Sequence, residues 1–77
     1  MSINVSTDVK GNKQSVILQF FAYDHLPEHL QEISQEFFFM AEYLDRGILT
    51  SAEKSVALRK LLESKDSAVR AAMLGVQ

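Results

Sequence analysis

Two long helical patterns joined by a connection of a few residues constrain this chain more than any other feature. Leu26, Leu30, Ile33, Phe37, Met40 and Leu44 follow at intervals of four, three, four, three and four residues, the spacing of one helix face. Pro27 suits a first helical position, Asp24 upstream is a candidate cap, and Gly47 stands where a left-handed residue ends a helix. The pattern predicts a first helix from Pro27 to Arg46, roughly 30 Å long. Thr50-Ser51-Ala52-Glu53 reads as a capping box opening a second helix, with Thr50 accepting the Glu53 amide. Leu58, Leu61, Lys65, Ala68 and Ala72 then share a face, flanked by Leu62, Val69 and Met73, with no proline or glycine before Gly75. The connection Gly47-Ile48-Leu49 is so short that the helices must fold back as an antiparallel hairpin.

The segment before the hairpin is polar up to Ser15, with a turn signal at Gly11-Asn12, and then runs Val16-Ile17-Leu18-Gln19-Phe20. This β-branched run reads as extended. Two arrangements stand open: a lone arm, or a small β-hairpin with Ile3–Val9 around Gly11-Asn12. The expected organisation is an N-terminal arm or short β segment over 1–19 and an all-α helical hairpin over 20–77.

A two-helix hairpin does not enclose a core. At 77 residues with no cysteine, the chain has neither disulfides nor thiolate metal sites to support it. Self-association is the remaining common support, so the fold predicts a homo-oligomer. Phe38, Phe39 and Tyr43 sharpen this, because they give the first helix a second apolar side. That side is expected to meet another subunit, a ligand or the N-terminal arm.

Charge narrows the partners. The formal net charge of −2 argues against a general DNA or membrane-surface binder. No apolar run is long enough to span a bilayer, and Met1–Val5 lacks the basic start and apolar stretch of a signal peptide. A soluble cytosolic protein is the expectation. Acidic residues concentrate in 21–49 and basic residues in 50–77. Either complementary packing between helices and subunits or an anion site on helix 2 accounts for this.

Catalytic patterns are thin. His25 and His29 stand four residues apart, a spacing that can share a metal, but a third ligand is missing. Glu28, Glu32 and Glu36 form a row that a solvated face explains. With three glycines there is no phosphate-cradling loop, and no serine has a visible base and orienter. The reading is a non-enzyme without cofactor or metal. Binding residues are better represented. Tyr23 at the helix entrance can stack on a nucleobase or staple onto Leu30. Lys65 inside the apolar stripe either snorkels to solvent or meets an anion between subunits. Arg70 pairs with Asp66 at i,i+4, and its guanidinium also suits a phosphate. Lys54 and Ser55 lie in the first turn of helix 2, where free amides favour anions.

Tyr23-Asp24-His25-Leu26-Pro27, the run from Ala52 to Glu63 and the run from Lys65 to Ala72 together resemble a family of small phage proteins. These are the anti-CBASS cyclic-nucleotide sponges, whose helical hairpin is similar to a domain of phage anti-Thoeris sponges. The resemblance covers residues 20–74. It implies a binder that sequesters cyclic oligonucleotide immune signals without cleaving them, in the cytoplasm of the infected bacterial host. It also implies a hexamer with cyclic dinucleotide pockets between paired subunits and, in part of the family, cyclic trinucleotide pockets at three-fold junctions. By position, Tyr23 matches the base-stacking aromatic and Arg70 the arginine that meets phosphates in the three-fold pocket. Lys54 and Ser55 match the start of helix 2 in the motif. Where members often read Tyr-His-Pro, this chain has His25 between Asp24 and Leu26-Pro27. Where members tend to carry a basic residue midway along helix 1, it has Gln35 beside Ser34, so the dinucleotide pocket is weakened or retuned. The arm, with Lys10 and Lys13, is a further departure. A second reading is a protein-interaction module anchored by Phe38, Phe39 and Tyr43. A phosphodiesterase would need a base or metal that the residues do not supply.

Overall fold

The computed structural model describes residues 15–75, and all its regular structure is helical. A 3-10 helix, η1 (Val16–Phe21), precedes α1 (Glu28–Gly47) and α2 (Ala52–Leu74). The two long helices pack against each other, and η1 lies against both. The extents are 47 × 24 × 15 Å.

Val16–Phe20, the run read as extended, therefore turns instead. The reason is tertiary. A lone strand leaves its backbone polar groups unpaired, whereas a 3-10 turn closes them locally and throws Leu18 and Phe21 onto the hairpin. Those two side chains are buried, while Val16 and Phe20 stay exposed. The other half of the possible β-hairpin, Ile3–Val9, lies outside the described residues.

The helix ends differ from expectation in chemistry more than in place. Pro27 is the N-cap of α1 rather than its first residue, and no side chain caps it. The Pro27 carbonyl accepts the amides of Leu30 and Gln31. Asp24 does not cap; the Gln31 side-chain amide instead donates to the carbonyls of Leu26 (2.8 Å) and Asp24 (3.5 Å). Gly47 is the last helical residue and does not adopt a positive φ. The extended cap is Ile48, φ −123°, whose amide still reaches the Leu44 carbonyl. A four-residue link must leave the helix extended to reach α2, and a β-branched residue suits that. At α2 the cap is Ser51, not Thr50: its hydroxyl accepts the Lys54 amide at 3.0 Å. Thr50 and Ser51 both fit the chemistry, and the turn selects the one nearer Ala52.

The buried line of α1 is Leu30, Ser34, Ala41 and Asp45, with Phe37, Phe38 and Leu44 half-buried beside the core. This is the expected stripe rotated round the helix, so that Met40 ends half-exposed. The rotation arises because α1 has two neighbours, α2 and η1, which meet at the small residue Ala41. The main cluster is Leu18, Phe21, Ala41 and Leu58. Ser34 is fully buried and its hydroxyl has no hydrogen-bond partner. An unpaired buried hydroxyl is destabilising, and alanine is the better helix former. Ser34→Ala is therefore expected to raise the folding free energy by about 1 kcal/mol in urea denaturation; a loss would show that the hydroxyl is satisfied.

Candidate functional site

The connection between the helices is closed by a buried ion pair. Lys54 Nζ lies 3.1 Å from Asp45 Oδ1 and donates to the Asp45 backbone carbonyl at 2.8 Å. The two side chains are 9% and 5% exposed. Ser15 completes the group: its amide donates to Asp45 Oδ2 at 3.1 Å and its hydroxyl donates to Asp45 Oδ1. Burial raises the Asp45 carboxyl, but the hydrogen bonds from Ser15 and Lys54, with the Lys54 charge, outweigh it and hold the group below its ordinary 3.8. Lys54, read from the sequence as a ligand for an anion, thus has its ammonium engaged within the chain.

Beside this group is a cavity of about 220 Å³. Ser15, Thr50, Ser55 and Arg59 bring polar groups to its wall, and Leu58 and Ile17 bring apolar ones. Ser55 is exposed there, with its amide turned to the Ser51 carbonyl. Arg59 is exposed and makes no ion pair among the described residues. Sequence reasoning passed over it. Its position four residues after Ser55, one helical turn on, was the available signal.

Lys65 and Arg70 lie in the C-terminal half of α2. The Lys65 side chain is 12% exposed and pairs with Asp66 at 3.1 Å. The expected Arg70–Asp66 pair is not formed; Arg70 Nη2 instead donates to Ser67 Oγ at 3.3 Å, and the side chain remains exposed. Asp66 sits beside the lysine whose stem leaves the apolar stripe, and that contact takes its carboxylate. Ser55 and Arg70 are 15 residues apart on one helix, roughly 22 Å, so one chain does not bring both onto a small ligand.

Tyr23 lies in the linker between η1 and α1, its ring edge-on to Phe38 with centroids 5.5 Å apart. It is half-buried, against Phe38. Phe38 in turn meets Phe39 edge-on at 5.9 Å. Of the second apolar side of α1, Phe38 is thus covered by the preceding segment. Phe39 and Tyr43 remain 48% and 71% exposed. His25 and His29 are exposed, and among the described residues no three His, Asp or Glu side chains group as metal ligands. Gln35 is half-buried and lines an open groove of about 520 Å³ with Glu32, Ile33, Glu36 and Phe37. Two carboxylates without a cation make that groove a poor place for a phosphate on an isolated chain.

The candidate residues therefore fall into five places: Tyr23 and His25 at the linker, Gln35 on the open groove of α1, Lys54 in the buried pair with Asp45, Ser55 and Arg59 at the start of α2, and Lys65 and Arg70 toward its end. No helix is long and apolar enough to cross a membrane among the described residues. This is the class the geometry defines: an all-helical hairpin, braced by a 3-10 segment, with separated polar patches and exposed apolar side chains. No protein family model, curated protein or solved structure matches the chain.

Proposed function

We propose that this chain is a sponge for cyclic oligonucleotide immune signals, acting by sequestration without cleavage to blunt a CBASS-type bacterial defence during phage infection. The observation that supports it best is Arg70. The side chain is exposed near the end of α2, held by one long hydrogen bond to Ser67 and followed by the exposed Met73 and Leu74. Apolar surface there favours self-association, and symmetry repeats every contact. Arginines gathered round an axis repel unless an anion joins them, and a cyclic oligonucleotide supplies a phosphate for each. Tyr23 adds a ring for a base; Lys65 lies on the same helix half as Arg70, with its ammonium 3.1 Å from the Asp66 carboxylate. The hexamer and its two pocket types belong to this reading through the sequence resemblance.

The test is titration with a panel of cyclic di- and trinucleotides and cyclic ADP-ribose isomers, followed by heat release and chromatography of the ligand. Tight binding with intact release is expected. Arg70→Ala is expected to weaken binding roughly 10- to 100-fold by losing charge-assisted hydrogen bonds, and Tyr23→Ala by a similar factor through lost stacking. Neither should change the circular dichroism spectrum. Absence of binding across the panel sinks the reading. It would favour a protein-interaction module, for which the exposed Phe39 and Tyr43 are the relevant observation.

A further inference from the structure

We propose that η1 is a strap that opens as a unit while the helical hairpin stays folded, and that the contacts of Ser15 with Asp45 are the clasp that sets how often it opens. The strap is fastened at its start by the Ser15 amide and hydroxyl on the Asp45 carboxylate, thirty residues away in sequence. After Phe21 the chain runs through a non-helical linker, where the Leu26 amide donates to the Tyr23 carbonyl, the Gln31 side-chain amide on α1 holds the Leu26 and Asp24 carbonyls, and the Tyr23 ring lies on Phe38. Between these points only Leu18 and Phe21 are buried.

Three features make the strap separable. First, its backbone bonds close within itself or onto its own ends, as in Leu18 to Ser15 and Ala22 to Gln19. Its release therefore leaves the hydrogen-bond ladders of α1 and α2 whole. Second, 3-10 geometry is strained and six residues make a weak unit without the surface beneath. Third, the charge at the clasp is balanced without the strap. Residues 15–21 carry no ionisable side chain, α2 supplies Lys54 against Asp45, and the neighbours on α1, Glu42 and Arg46, pair with each other at 3.8 Å. Losing Ser15 leaves the Asp45–Lys54 pair in place. Lifting η1 uncovers Ala41 and Leu58 between the helices and carries the adjoining Tyr23 off Phe38. The ring assigned to base stacking would then follow the strap; the opening itself is independent of any ligand.

Hydrogen exchange of the full chain without ligand tests this. Local units exchange faster than the global fold, so η1 amides should exchange faster than those midway along α1 and α2. Ser15→Ala should speed the η1 amides roughly tenfold, the effect of one hydrogen bond to a charged acceptor. The mid-helix amides should stay within about twofold. Asp45→Asn should have a larger effect in the same direction. Equal rates for η1 and the helices in the wild type, or a Ser15→Ala effect spread equally over all three, overturns the proposal. If Asp45→Asn does not fold, the Ser15→Ala comparison decides alone.

Discussion

Lys54→Met is expected to lose about 3–5 kcal/mol of folding free energy, because it strands a buried carboxylate without its cation. The Lys54 and Asp45 side chains are almost wholly removed from solvent, and the ammonium also holds the Asp45 carbonyl across the turn. Domains of this size are stable by only about 5–10 kcal/mol, so the change takes a large share. Part of the loss should show first as release of η1, since an open strap lets water reach Asp45. Urea denaturation followed by circular dichroism measures the total. A cost below about 1 kcal/mol would place the pair in the class of surface ion pairs. Asp45→Asn/Lys54→Met, which removes both charges, should recover part of the stability. The same pair sets the acid response. A depressed carboxyl contributes stability that is fully present above the unfolded value of 3.8 and is lost as pH falls through the folded value. Wild-type stability should therefore drop below about pH 4, and Asp45→Asn should be less stable at neutral pH with a flatter decline.

Leu58→Ala is expected to cost about 2–5 kcal/mol, the range for a leucine truncated in a packed core. Leu58 is 1% exposed and is the one residue through which α2 enters the main cluster with Leu18, Phe21 and Ala41. Leu61 and Leu62 flank that cluster without being buried. The hole left by alanine is bounded by η1 on one side and α1 on the other, so collapse at one wall opens the other. Leu49→Ala serves as control, since that side chain is 90% exposed and should change stability by no more than about 0.5 kcal/mol. Similar losses for the two would show that the core lies elsewhere.

Candidate site residues divide along the same lines. Arg70 on α2 and His25 in the linker before α1 are both exposed, as their polarity alone leads one to expect. Lys54 does not. From the sequence it was a cation at a helix start; only the fold revealed Asp45 beside it. Any binding defect of a Lys54 variant must therefore be separated from a folding defect.

The sequence by itself determined the two helices and their antiparallel return. Apolar spacing, the break at Gly47 and the short link are local information, and local hydrogen bonding makes helices from them. It did not determine the form of Val16–Phe21, because a six-residue segment takes its conformation from the surface it lands on. Nor did it reveal Asp45 as a buried anion or Ser34 as a buried hydroxyl. Both sit among ordinary polar positions of an amphipathic helix, and Asp45 is buried because α1 has two neighbours there, Ser15 before η1 and Lys54 of α2. Tertiary packing decided those points, through the contact of η1 with both helices and the closure of Lys54 onto Asp45.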